Sequence, residues 1–408
     1  MLALSTILRG LSSRWAARTC RASAAFVVVL MGCTADGRVG RLDGAAGGGA
    51  AGSSAAGSAG AAGATGLPPW LADRPLFTWV PIPGSEGAGQ ARVDAFSGMA
   101  VRGDTGEIWI AAAGGGHDGY DNRVVVLRLT DSEPRWELRH AASTLTAPDV
   151  SHYPDGTPAS REVYHAIHWS PVARRVLLTG LRYTFPSNVT FPTVDGFDPA
   201  TDLWDAAGTW ASMPTDPFHG FGMVQDGAGR IWTDQLARFD PATNTWSPPL
   251  ASHPVPTRFP ASFDGLRNEL FTLMVGDGQG YETPAVHASR IALGDDTALV
   301  QEPITLAPGP GLDALTAQTP TYAAMAHDPN SGDHYFYEGY HEPGRVLAVT
   351  PRSSGEWPVR VLSLSSSAGT PPPCLGSGIQ NRFQYVAVLK GFVLLPQASS
   401  ELWFFRVA

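Results

Sequence analysis

Arg161, Arg258 and Arg382 each stand just ahead of, or at the start of, a short apolar run, with His165, His219, Tyr322 and Tyr385 close to the same level of those runs. A guanidinium is a planar, permanently charged fork of donors, so three around one opening would hold a carboxylate or sulfate. The same residues have a plainer use, in which each arginine pairs with a nearby acid or carbonyl and braces one structural unit against the next. A second group, His117, Asp118, Tyr120 and Asn122, follows a glycine run, with Glu338, Tyr340 and His341 far along the chain. Imidazole, carboxylate and phenol together suit general acid–base work or metal ligation. Against that reading, a glycine-rich turn needs positive φ and short polar side chains simply to form. No metal set and no cofactor is expected from these residues.

Other chemistry is thin. The chain has no Gly-x-Ser-x-Gly elbow, phosphate loop or His-Glu-x-x-His helix, and its Ser, His and Asp residues fall together only by scatter. The cysteines are Cys20, Cys33 and Cys374, two of them near the amino terminus, which excludes a disulfide framework and a cysteine-based zinc site. Residues 1–66 take six Arg and two Asp of the chain's 28 basic and 37 acidic side chains, leaving a formal charge of −13 on 67–408. A surface of that sign repels phosphate backbones, so nucleic acid is not an expected partner.

The elements that must position these groups announce themselves in a repeat. Phe197-Asp-Pro-Ala-Thr-Asp-Leu-Trp204 returns 42 residues later as Phe239-Asp-Pro-Ala-Thr-Asn-Thr-Trp246. Asp-Pro-Ala-Thr makes a turn, because Pro presets φ and Asp can cap its own backbone, and the Trp then packs from the returning strand. A hairpin recurring at about 40 to 50 residues has the period of a β-propeller blade. With 46 Gly, 34 Pro, 12 Trp and 16% charged residues, the composition also favours short strands and tight turns.

Taken in order, 97–101, 108–111, 124–129 and the stretch at Trp136 make one four-stranded unit. Further units follow over 163–204, 221–246, 260–304 and 322–362, and 384–389, 391–395 and 401–406 supply three strands more. The strand at 76–80 has no sheet of its own. Pairing it with 401–406 would complete the last unit, close a ring and hide two open edges. The fold expected is all-β, a six-bladed β-propeller, with seven blades as the alternative. In such a ring the loop entering each innermost strand and the loop joining the middle strands share one face, here called the mouth, and both candidate groups fall there.

Residues 1–33 have the character of an export signal, with Arg9, Arg14, Arg18 and Arg21 ahead of a short apolar core at Ala22–Met31. Leu30-Met31-Gly32-Cys33 resembles the lipobox of bacterial lipoproteins. That resemblance implies acylation at Cys33, a membrane anchor without a transmembrane helix, and, with Thr34 next, an outer-membrane or cell-surface location in the bacterial envelope. Residues 34–66, nearly all Gly, Ala and Ser from Gly44 on, are expected to be a flexible tether, and 67–408 the propeller.

Gly114-Gly115-Gly116-His117-Asp118-Gly119-Tyr120-Asp121-Asn122 resembles the glycine-doublet signature of kelch repeats. Ser160–His165, Asn381–Tyr385 and Glu401–Arg406 are similar to segments of bacterial kelch-type proteins related to the galactose-oxidase central domain. The doublet is clear only in the first unit. That family includes copper-radical oxidases, whose cysteine-linked tyrosine, second tyrosine and two histidines have no counterpart around Cys374, which follows Pro371-Pro372-Pro373. The expectation is therefore a monomeric, lipid-anchored kelch-like propeller that binds a glycan or an envelope protein at its mouth. Its rivals are a lyase or hydrolase for an anionic sugar, with an arginine clamp and a His/Tyr acid–base pair, and a plain surface spacer.

Overall fold

The repeated octapeptides fold alike. Asp198 and Asp240 each accept the backbone N–H two residues on, from Ala200 and Ala242, at 2.9 Å. Asp202 and Asn244 then take the left-handed conformation, at φ 60° and 53°, that turns the chain back. The returning strand lays Trp204 opposite Phe197 and Trp246 opposite Phe239. Their ring centroids lie 5.3 and 5.0 Å apart.

The structure is a computed structural model. It describes residues 66–86, 97–113, 119–179, 182–184, 189–214, 224–249, 260–275, 286–294, 299–317, 323–365, 369–374, 378–397 and 400–408. Six four-stranded antiparallel sheets form a six-bladed propeller. A first strand, β1 (Thr78–Pro81), precedes blade one. That blade holds β2 (Ala100–Arg102), β3 (Glu107–Ala111), β4 (Val124–Arg128) and β5 (Glu137–His140). Blade two holds β6 (Ile167–Ser170), β7 (Arg175–Thr179), β10 (Val194–Asp198) and β11 (Leu203–Trp204), with a separate hairpin, β8 (Arg182–Thr184) and β9 (Val189–Phe191), between its middle strands. Blade three holds β12 (Val224–Gln225), β13 (Ile231–Trp232), β14 (Arg238–Asp240) and β15 (Thr245–Trp246).

Blade four holds β16 (Ala261–Asp264), β17 (Glu269–Val275), β18 (Val286–Ala292) and β19 (Gln301–Ile304). Blade five holds β20 (Ala324–His327), β21 (His334–Tyr337), β22 (Leu347–Val349) and β23 (Val359–Val361). Blade six holds β24 (Phe383–Val386), β25 (Gly391–Leu394) and β26 (Trp403–Arg406), and takes its fourth strand from β1, in the order β1-β26-β25-β24. The register sets Trp79 opposite Phe405 and Val80 opposite Phe404.

The closing strand is well held. Phe77 N–H donates to Arg406 O at 2.7 Å and Ile82 N–H to Leu402 O at 2.9 Å. Trp79, 1% exposed, packs against Phe405 and Tyr337 with centroids 4.9 and 5.3 Å away. Burying a ring of that size contributes on the order of 2–3 kcal/mol before any hydrogen bond is counted.

Three details depart from the pattern read in the sequence. Two short helices, α1 (Pro69–Ala72) and α2 (Pro310–Thr316), occupy connections. Each begins at a Pro, whose fixed φ suits the first helical position and whose missing N–H costs nothing there. The strand expected over 384–389 ends at Val386 and tightens into a 3₁₀ turn, Ala387–Leu389, which Lys390 closes at φ 51°. The hairpin β8–β9 comes from a stretch of alternating Thr, Tyr, Val and Phe that the repeat spacing had hidden.

Candidate functional site

The six innermost strands surround a cavity of about 210 Å³. Its lining joins aromatic and aliphatic faces, among them Trp169, Phe263 and Phe383, to amides, imidazoles and a phenol. None of the described lining residues is an acid, a lysine or an arginine.

Blade two contributes His165 and His168. The chain reaches β6 through a tight turn, with Tyr164 at φ 44° and Ala166 N–H donating to Val163 O at 2.6 Å. A tyrosine held in that region is strained by roughly 1–3 kcal/mol, which the surrounding contacts must offset. One of them is the Tyr164 hydroxyl, which donates to Glu162 Oε2 at 2.6 Å. His168 is 7% exposed, and its Nε2 has no hydrogen-bond partner among the described residues. Burial, with the neighbouring His165 second, pushes its pKa down to about 3, so the ring is neutral at any physiological pH.

Blade six closes the side beyond blade one. Gln380, at φ 55°, turns the chain into β24. Asn381 then donates to Ile167 O at 2.8 Å and to Met99 O at 3.2 Å, tying blade six to blades two and one across the cavity. Gln384 Nε2 donates to Asn381 O at 2.8 Å. Gly98 makes the approach of blades one and two possible, because a Cβ there would lie 2.2 Å from Tyr164 O.

The arginines are differently placed from a clamp. Arg161 is fully buried and joins Asp195 Oδ2 at 2.7 Å, while His152 Nε2 meets the other carboxylate oxygen at 2.8 Å. Burial alone would raise the Asp195 carboxyl, but the Arg161 charge and the His152 hydrogen bond outweigh it and hold the group below the usual carboxylate range. Arg382, 1% exposed, donates Nε to Ile379 O at 3.0 Å and Nη2 to Gly378 O. Burial lowers its pKa to about 10, with the Cys374 sulfur pulling the other way. Both side chains are engaged within their own unit, Arg161 with Asp195 of blade two and Arg382 with the loop that leads into β24, and neither lines the cavity. Arg258, His219 and Tyr322 lie outside the described residues.

Tyr385 lines the cavity but turns its hydroxyl toward Asn330 Nδ2, 2.5 Å away in the β20–β21 hairpin, at the end remote from the mouth. Burial, then the Asp328 charge, pushes its pKa up to about 12. In the second group, His117 and Asp118 lie outside the described residues, as does Cys33. Asn122 is fully buried, donating to Thr157 Oγ1 and Pro158 O at 2.8 Å, and its Oδ1 takes the Ser143 N–H at 2.7 Å. Its role is to pin the 143–158 loop. Tyr120 and Tyr340 are exposed, and His341 Nδ1 lies 2.7 Å from Glu338 Oε1. Cys374 is buried, its thiol donating to Glu338 O at 3.2 Å, and burial pushes its pKa up to about 12.

Residues far apart in the chain also meet between blades four and five. Ser262 Oγ lies 2.6 Å from His334 Nδ1, and His327 Nε2 lies 3.3 Å from Asp264 Oδ1. Ser262 and His334 resemble a nucleophile and its base, but burial beside His327 takes the His334 pKa to about 3. A base that weak accepts protons poorly at neutral pH, and its ring sits 4.0 Å from the Asp264 carboxylate, beyond hydrogen-bond reach. The cluster is an inter-blade clip. His168, Gln384, Ser262 and His327 were missed in the sequence as cavity groups. Aligning the innermost strands, His168 with Ser262 and Met325, would have marked them.

The site is thus a polar and aromatic cavity, uncharged among its described residues, in the channel of a six-bladed propeller. No protein-family profile and no curated protein sequence matches the chain. Among solved structures it is similar to YjhT, at 9% identity over 79% of this chain and 93% of that one, with a TM-score of 0.47. A fungal alcohol oxidase of the AA5 family, in complex with copper, matches at 11% identity over 76% of this chain and 62% of its own, with a TM-score of 0.44. An α-L-arabinanase of Penicillium chrysogenum complexed with arabinobiose matches at 12% identity over 81% and 98%, with a TM-score of 0.40.

Proposed function

We propose that this protein is an exported, lipid-anchored, kelch-type propeller of the bacterial envelope, and that its channel cavity binds the end of a neutral glycan. The observation that carries the reading is the lining. Side-chain amides, imidazoles and flat aromatic faces, with no described charge among them, match the alternating hydroxyl and C–H surface of an uncharged sugar. At about 210 Å³ the cavity falls below the roughly 300–1,000 Å³ of drug-sized sites, so it suits one small ring. His168 Nε2 supplies a buried ring nitrogen that a sugar hydroxyl would satisfy.

The anionic-sugar enzyme is less well supported. Its clamp needs Arg161 and Arg382 to face the ligand, and both are engaged elsewhere. Two experiments test the proposal. Calorimetry of the purified full chain against neutral, uronic and sulfated glycans should give binding to neutral members, weakened about tenfold or more by His168→Ala or Trp169→Ala. Preference for sulfated or uronic glycans would overturn it. Labelled palmitate should enter the wild type in cells and not Cys33→Ala; equal labelling, or none in either, would remove the anchor.

A further inference from the structure

Among the large aromatic side chains whose burial is described, two are exposed, Tyr120 at 48% and Tyr340 at 53%. Single exposed apolar groups are ordinary on a protein surface. These two are set apart by where they stand and how they are held. Tyr120 lies on the β3–β4 connection and Tyr340 on the β21–β22 connection. Both connections join second and third strands, which puts the rings on the mouth face, on blades one and five, with blade six between them in the ring.

Both are mounted on pinned backbone. The carbonyl of Tyr120 accepts the Tyr153 hydroxyl at 2.9 Å, and that of Gly119 accepts Ser160 Oγ at 3.2 Å. On the other side, Gly339 sits at φ +69° against the Tyr337 ring, where a Cβ would lie 2.5 Å from the nearest ring carbon. Its carbonyl takes the Cys374 N–H at 3.0 Å. Glu338, 5% exposed, holds the His341 N–H at 3.0 Å, and the His341 ring meets Tyr340 edge to face at 4.9 Å. A tyrosine fixed in this way loses little freedom when something stacks on it, so more of the contact energy appears as affinity. The flat C–H face of a pyranose is a fitting partner, because an aromatic face carries negative quadrupole charge.

We infer that the ligand is a glycan chain whose terminal unit enters the cavity while the units that follow it stack on Tyr120 and Tyr340. The inference rests on the channel reading above and adds to it the polymeric class of ligand and two rim subsites. The test is calorimetry of the full chain with neutral cello-, manno-, xylo-, malto- and galacto-oligosaccharides, from monomer to hexamer. For the preferred series the wild type should bind the hexamer at least about tenfold more tightly than the monomer. Tyr120→Ala and Tyr340→Ala should each remove most of that gain and leave monomer affinity within about twofold, whereas Tyr340→Phe should retain it. Melting curves confirm that each variant is folded.

If monomers bind but affinity does not grow with length, or grows equally in both alanine variants, the rim subsites are wrong and the channel reading stands. If no neutral sugar of any length binds, the channel reading falls and takes this inference with it.

Discussion

The indole Nε1 of Trp79 donates to the carbonyl of Gly344 at 2.7 Å, across 265 residues of chain. That bond joins the strand that closes the ring to a mouth loop of the neighbouring blade, so one side chain couples the circular closure to the mouth. The Gly344 loop follows directly on the segment that carries Tyr340 and His341.

Trp79→Ala should therefore cost about 3–5 kcal/mol, the range for deleting a buried large aromatic. Trp79→Phe keeps most of the packing and loses the bond, at about 1 kcal/mol. Urea unfolding of the two variants measures the difference. A loss below about 1 kcal/mol for the alanine would mean that β1 does not hold the ring.

The Arg161–Asp195 pair is buried at both ends, so removing one partner leaves a bare charge in the interior. Arg161→Met and Asp195→Asn should each destabilise by about 3–5 kcal/mol, and the double variant by clearly less than their sum. Glycan affinity, measured where the variants are still folded, should stay near the wild-type value. Additive losses would separate the two residues energetically, and loss of affinity at intact fold would restore the clamp.

The pH dependence of stability follows from the histidines. His168 and His334 keep pKa values near 3 in the folded protein, against 6.5 for an exposed ring. Between those values the unfolded chain binds protons that the folded chain refuses. The stability these two rings contribute should be whole above about pH 6.5 and fall on acidification toward pH 3, each group adding a slope of up to about 1.4 kcal/mol per pH unit. Asp234 acts with the opposite sign, because burial raises its pKa from 3.8 to about 8. It weakens the fold as pH rises through that interval, and Asp234→Asn should remove the effect. Urea midpoints at a series of pH values for the wild type, His168→Gln and Asp234→Asn resolve the two contributions. An acid slope unchanged in His168→Gln would mean that its ring is protonated in the native state.

Much of the fold was legible because it is written locally. Asp-Pro-Ala-Thr closes a hairpin through contacts within a few residues, and Phe197 and Trp204 need only each other to set its register. Ring closure could also be read, as an unpaired strand at one end and a three-stranded sheet at the other. The short helices and the β8–β9 hairpin were not legible, since they sit where the blade period is silent. The candidate site was legible only in part. Of the described candidates, His165 and Tyr385 line the cavity, and Tyr385 turns its hydroxyl to the far end.

What the chain determined alone is the blade: turn chemistry, alternating strands and aromatic pairs act over a few residues and need no partner. What the tertiary structure decided is the destiny of each polar group at the centre. Arg161 meets Asp195 from 34 positions away once the strands of blade two assemble, and Ser262 meets His334 from 72 across blades four and five, so neither pairing exists in the local chain. A strand side chain faces one neighbouring blade or the other according to register, and a guanidinium buried against a carboxylate is no longer available to a ligand. Packing between sheets, with the desolvation it enforces, left no acid, lysine or arginine among the described residues lining the cavity, where the sequence had left an arginine clamp and structural arginines both open.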